Sequence, residues 1–429
     1  MVRELSAAAR RKHGRVGTRR WLATMAVAMA TCVAQAQTVL PEVQVSKAYI
    51  PDLEFDWGRN GVFCQSCNFG TSNARFAFSD ANMKLWIGYI DFQTGAFYPP
   101  DGRAVLLDSS AAAPTDFGNG PEWVGSSGNS QLVYTKYLSG QAPSETSAGV
   151  ALAQMINGSW STGFMSNAVG RASPAGSQDL TDADPRINYV ASDKSGLFWR
   201  SLSQPDVENI LPISELTSGN SRRWVPGTRK IIFQGHPPNS PALLIDQVYL
   251  YDTNSGELEQ LTFDADGKLG AFMWRAPEFN NDYVFITMAR LRKQLQVYRK
   301  VPGADGQLRW TVIKAVNTPS ALPYIWSPEA FTHNGRSFVF MQLSASSKFW
   351  DRSVPNQLAI TGIDPLRQDF RMLTNDRSKP RLRLDPEFFI TAKGPYIYYN
   401  RVVPETSAHP AVNDGVWRVD TKLGAPKQH

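Results

Sequence analysis

Four glutamates in this 429-residue chain share one local setting. Glu122 in "PEWV", Glu278 in "PEF", Glu329 in "PEAF" and Glu387 in "PEFF" each follow a proline and stand one or two residues before an aromatic. One such carboxylate is unremarkable; four delivered by a recurring motif imply a repeating structure that gathers them. A ring of carboxylates would bind a cation or a basic peptide, and two of them could act as acid and base on a glycan. Pro185 carries Asp184 and Arg186 in a variant of the same opening, and Arg275 stands two residues before Pro277. His236, in "FQGHPPNSP", follows an apolar run and precedes a proline-rich loop. With Arg186 or Arg275 to neutralise a uronate, His236 or Tyr324 could act as the base of a polysaccharide lyase. The ligand-binding set expected at one opening is therefore Glu122, Asp184, Arg186, His236, Arg275, Glu278, Glu329 and Glu387. The plainer reading is that each of these groups is satisfied locally and that the repeat alone imposes the spacing.

Other chemistry leaves no trace. No Gly-x-Ser-x-Gly elbow, zinc-protease helix or phosphate-binding loop occurs, no cofactor is indicated, and no metal site is expected. His333 sits in the turn "THNG", which turn chemistry accounts for, and His409 lies near the end of the chain. Trp160, Trp199, Trp310, Trp350 and Trp417 could stack on sugars, although packing between sheets is the simpler use of such large rings.

The elements that must position these groups are short strands. Seven similar hairpins start at Arg75, Pro121, Pro185, Arg222, Pro277, Pro328 and Pro386, each passing through a polar turn into a run rich in Val, Ile, Phe and Tyr. Their marker aromatics recur about every 52 residues. Further strands follow, as in "QVYLYDTNSGELEQLTFD" from Gln247 and "QLAITGIDPLRQDFRMLTND" from Gln357. Four short strands per period describe a propeller blade, and no helical periodicity competes. The fold class expected is an all-β propeller of seven blades, with six as the alternative. Proline suits the first residue of an inner strand, the following acid would face the central channel, and Trp123, Phe279, Phe331 and Phe388 would be core. The stretch "TVLPEVQVS" near residue 40 has no local pairing partner, so it is expected to close the ring as the outer strand of the last blade.

The order Pro-x-aromatic, polar turn, apolar strand, then an Asp-containing strand ending in Leu-Thr resembles the TolB-like, or WD40-like, β-propellers over most of residues 70–421. That resemblance implies a binding role at the channel mouth, with a protein or glycan partner and a monomeric chain. The alternative is an enzyme acting on polysaccharide, a lyase or glycoside hydrolase, since secreted propellers of this look include oligogalacturonate-lyase-like enzymes. Long loops at 109–118, 138–150 and 234–246 walling a deep cleft would favour the enzyme, and short turns the binding role.

Charge and cysteines concern location. The formal net charge is +6, but Arg3, Arg10, Arg11, Lys12, Arg15, Arg19 and Arg20 against Glu4 place all of it in residues 1–36. Residues 37–429 are close to neutral, which argues against a nucleic-acid partner. Residues 1–36 read as an export signal: a basic stretch, the apolar run "WLATMAVAMATCVA", and Ala34-Gln35-Ala36 as a cleavage site. Arg19-Arg20 fits the general or the twin-arginine route. The rest, 37–429, is expected to be one soluble propeller domain in the periplasm or outside the cell, without a transmembrane segment. Cys64 and Cys67 lack the His that haem attachment needs and a second pair for zinc; a short-loop disulfide suits an oxidising compartment.

Overall fold

A computed structural model describes residues 40–56, 75–117, 119–125, 131–179, 181–193, 196–212, 222–236, 245–348, 351–375 and 379–427. The export segment, Cys64, Cys67 and Trp350 lie outside the described residues. Val39–His429 forms one unit, a ring of seven antiparallel sheets: a seven-bladed β-propeller. A four-residue helix, Pro114–Phe117, and a short 3-10 turn, Pro277–Phe279, are the only described helical elements.

The inner strands, which line the centre, are Glu54–Phe55, Glu122–Val124, Arg171–Gly176, Arg222–Trp224, Leu269–Ala276, Tyr324–His333 and Leu382–Thr391 in blades 1 to 7. Three of the seven hairpins expected from sequence begin one strand further out. Arg75 and Arg186 open second strands, and Pro277 sits in the turn joining the inner strand of blade 5 to Asp282–Ala289. First and second strands carry the same apolar pattern, so the pattern fixes strand identity but not phase.

In five of the seven blades the inner strand carries, or is directly preceded by, a similar interruption. Asp52, Ser173, Gly270, Ser327 and Asp385 all have positive φ, between 42° and 64°. In blades 3, 5, 6 and 7 the ladder to the second strand skips at this point. Two residues later comes the position that faces the centre: Glu54, Ala175, Phe272, Glu329 and Glu387. Proline occupies the intervening place in blades 3, 6 and 7, where the broken ladder needs no N–H donor. The N–H groups near the break take partners from the neighbouring blade. The Ser173 N–H donates to Thr135 Oγ1 at 2.9 Å, Gly270 N–H to Gln234 Oε1 at 2.7 Å, and Ile325 N–H to the Arg292 carbonyl at 2.8 Å.

The aromatic after the central position joins blades. Trp123 Nε1 donates to the Glu54 carbonyl and Trp224 Nε1 to the Ala175 carbonyl, both at 3.0 Å. Trp123, Phe331 and Phe388 are buried, as the motif predicts, while Phe279 is only partly buried under Arg299.

Glu42–Ser46 supplies the outer strand of blade 7, pairing antiparallel with Val412–Asp420. Its Glu42 carboxylate takes Arg383 Nε at 3.0 Å and Nη2 at 2.5 Å, with the Tyr399 hydroxyl as a third donor. Arg383 is fully buried and Glu42 nearly so. Asn400 then fastens the chain on its way to blade 1, accepting from Ile50 N–H at 3.0 Å and donating to Ile50 O at 2.6 Å. A Cβ at Gly415 would collide with the Ser46 carbonyl, so the closing strand lies against a glycine whose φ of 79° few other residues adopt.

Removing one partner of a buried ion pair leaves the other charge uncompensated. Glu42→Gln is expected to lower the unfolding free energy by about 3–5 kcal/mol, whereas Glu42→Leu combined with Arg383→Met recovers most of that loss. Urea denaturation of the single and double variants checks this.

Candidate functional site

The inner-strand starts enclose a central cavity of about 540 Å3. Of the residues expected at the opening, Glu122, Glu329 and Glu387 line it together. Glu54, Asp52 and Asp385 join them from blades 1 and 7, and Arg222, Arg223 and Arg292 contribute the positive charge.

Arg223 is the hub. It occupies in blade 4 the place that glutamate holds in blades 1, 2, 6 and 7, and its guanidinium bonds Glu329 across the cavity from blade 6. Glu329, Glu122, Glu387 and Glu54 all act on it electrostatically; burial alone would pull its pKa down, but the four carboxylates reverse this and hold it above the usual value. The guanidinium lies 5.4 Å from the Phe272 ring. Although 43% of the Arg223 side chain is exposed, the exposed part faces a space walled by protein, where screening is weaker than on the outer surface.

One arginine cannot neutralise this many acids. Burial, then the Glu329 and Glu54 carboxylates, holds the Glu387 carboxyl well above its ordinary range. Burial also raises Glu122 and Glu329, opposed in each case by Arg223; Glu122 is further steadied by Asn119 Nδ2 at 3.1 Å. At the blade 1–7 seam, burial and then Asp385 push Asp52 well up, while Asp385 is pushed up to about 6 by burial, with Arg352 opposing. Burial lowers Arg222 to about 10. The cavity therefore holds more carboxyl groups than guanidinium groups, and burial shifts the carboxyl pKa values upward.

The other five expected residues stand elsewhere. Asp184 and Arg186 lie at the entry to the second strand of blade 3, Arg275 at the end of the inner strand of blade 5 and Glu278 in the turn after it, and none of them lines the cavity. This follows from the phase of blades 3 and 5, where Pro185 and Pro277 belong to the inner-to-second-strand connection. Asp184 accepts from Ser201 and Ser203, and Arg186 donates to Thr253 while stacking on Trp199 at 4.8 Å. Arg275 stacks on Tyr283 at 4.2 Å. Glu278 accepts from the Ser337 N–H and hydroxyl, both at 2.8 Å, joining blade 5 to blade 6. His236 follows the second strand of blade 4, with Nδ1 3.3 Å from Asp246, and does not line the cavity.

The tryptophans are structural wedges. Trp160, Trp199, Trp310 and Trp417 pack against blade cores, Trp310 edge-on to Phe285 at 5.0 Å and Trp417 beneath Arg401. None lines the cavity, and neither do residues 109–118, 138–150 or the described parts of 234–246.

Sequence reasoning overlooked Glu54, Asp52, Asp385, Arg223 and Arg292. The hairpin opening "RRWVPG" already aligned Arg223 with the glutamates, and "PDLEF" carries an acid before an aromatic with its proline displaced by two places. Among the described residues no group of three or more His, Cys, Asp or Glu is placed to hold a metal ion, and no helix is long and apolar enough to cross a membrane.

A carboxyl whose pKa rises on folding binds its proton more tightly in the folded state. Its stabilising contribution is present below the unfolded value of about 4 and is lost as pH rises through the folded value of about 6 for Asp385. Between about pH 4 and pH 6 the wild type is therefore expected to lose stability relative to Asp385→Asn, measured as the difference in urea midpoints across that range.

Neither a protein-family model nor a curated protein matches the chain. Among solved structures it is similar to tricorn protease, at TM-score 0.46 and 8% identity over 92% of this chain and 36% of that one. It is also similar to a prolyl endopeptidase, at TM-score 0.44 and 9% identity over 83% and 50%. A Bacteroides fragilis protein proposed to be a 6-phosphogluconolactonase gives 0.43 and 10% over 83% and 96%. The chain spans half of the prolyl endopeptidase and about a third of tricorn protease. At such identities and TM-scores these likenesses have no bearing on activity.

Proposed function

We propose that this protein is an exported binding propeller of TolB-like type whose central cavity receives a positively charged group presented by a protein or glycan partner. The observation that carries this reading is the convergence of six carboxyl groups on a cavity containing three arginines. An incoming cation would satisfy the acids that Arg223 cannot and would lower their raised pKa values. The lining supports a binding role as well, because it consists mainly of inner-strand starts and short turns rather than long loops.

A second reading keeps one observation in its favour. Glu387, whose pKa burial raises well above the ordinary carboxyl range, shares the cavity with Glu329, which is paired to Arg223; one carboxyl with a raised pKa beside a second, ion-paired one is the arrangement of glycoside hydrolysis. The lyase version has less support, since Arg275 and Arg186 lie away from the cavity while His236 faces Asp246.

Calorimetric titration with a lysine-rich peptide and with glucosamine oligomers tests the first reading. Binding is expected to strengthen as pH rises through the raised carboxyl pKa values, to release protons, and to weaken at least about tenfold in Glu387→Gln and Glu329→Gln. No binding by either probe, together with new reducing ends or unsaturated products from a panel of polysaccharides, would replace it with the enzyme.

A further inference from the structure

We infer that the cavity is built for a zwitterionic ligand, a peptide chain end that presents a basic side chain to the glutamate ring and its carboxylate to Arg292. This rests on the cation-receiving reading above and extends it to the ligand's second charge.

Arg292 belongs to the hairpin turn between the second and third strands of blade 5, where Arg290, Leu291 and Arg292 all have positive φ, at 52°, 56° and 68°. Three consecutive side-chain-bearing residues in the left-handed region is a costly conformation that surrounding contacts must hold in place. Those contacts include the bond from Ile325 N–H to the Arg292 carbonyl, which ties the turn to the inner strand of blade 6. The turn thereby places the Arg292 side chain in the cavity wall, over the Trp326 ring with its central carbon 4.0 Å from the ring centroid.

The neighbouring arginines are engaged. Arg223 bonds Glu329, and Arg222 bonds the Ser173 carbonyl. Among the described residues Arg292 has no carboxylate within ion-pair distance, and burial alone lowers its pKa, with no nearby acid opposing. Stacking on an indole leaves the N–H edge of a guanidinium available in its plane, the geometry that grips a carboxylate through two hydrogen bonds. A ligand bearing only positive charge would place like charge beside Arg292, so this residue selects against it.

A peptide fits the walls better than a glycan does. Trp326 is covered by Arg292 and the Phe272 ring lies beneath Arg223, so these cavity aromatics do not offer open faces for a sugar ring. A volume of about 540 Å3 suits one or two residues.

The test compares Nα-acetyl-lysine, which carries ammonium and carboxylate, with Nα-acetyl-lysinamide, which carries ammonium alone, by calorimetry on the full chain. Wild type is expected to bind the acid at least about tenfold more tightly than the amide. Arg292→Gln should abolish that preference by weakening the acid and, with the like charge gone, binding the amide at least as tightly as wild type does; Arg292→Lys should restore part of the preference, and Glu387→Gln should weaken both ligands. Melting curves establish that each variant is folded. Equal wild-type affinities, or a preference that survives in Arg292→Gln, would overturn the inference and leave cation binding standing. Stronger binding of a glucosamine–glucuronate disaccharide than of acetyl-lysine would overturn the peptide assignment. Failure of both lysine derivatives to bind wild type would overturn the inference together with the reading beneath it.

Discussion

A ring of sheets is only as fixed as its closure. In this protein the closure is made by Glu42–Ser46, which enters blade 7 beside a strand almost 380 residues later in the chain and seals the pairing with the buried Glu42–Arg383–Tyr399 cluster. Charges taken out of water in this way are held only where geometry satisfies them. Arg383 meets that requirement twice: its side chain grips Glu42, and its backbone exchanges hydrogen bonds with Asn356 of blade 6. The same contacts thus anchor the first strand of the unit, the last blade and the blade before it. The central cavity exists because these ends meet.

Within the closed ring, one backbone device directs side chains inward. A residue in the left-handed region breaks each affected inner strand, and the residue two places later turns toward the centre. Neighbouring blades supply partners near the break, while Trp123 and Trp224 tie successive inner strands together. Acids at this position are consequently brought together whether or not their charges are compatible. Burial raises the pKa values of Glu387, Asp52 and Asp385, and neighbouring carboxylates add to the rise at Glu387 and Asp52. Arg223, at the same position in blade 4, offsets part of the repulsion.

The repeat was legible because alternating apolar residues, polar turns and Pro-Glu-aromatic openings are local features. From them the seven blades, the closing strand and the cavity-facing positions of Glu122, Glu329 and Glu387 could be read. Phase was not local. Pro277-Glu278-Phe279 matches the motif residue for residue yet forms a turn, because the inner strand of blade 5 starts earlier at Leu269 and turns on Gly270 instead of a proline. Pro185 misleads for the same reason, since the break in blade 3 lies at Ser173. A shift of one strand carries a side chain from one end of a blade to the other, which is why Asp184, Arg186, Arg275 and Glu278 leave the cavity.

What the sequence determined by itself was the list of parts: strands, their number per repeat, the turns between them and a supply of acids at recurring places. These follow from side-chain shape and backbone preference within a few residues. Only the tertiary structure decided which acids meet, that Arg223 stands among them, and that Arg292 faces the same space from a strained turn. Charge interactions depend on distance through space and on exclusion of water, and both are set by ring closure rather than by position along the chain.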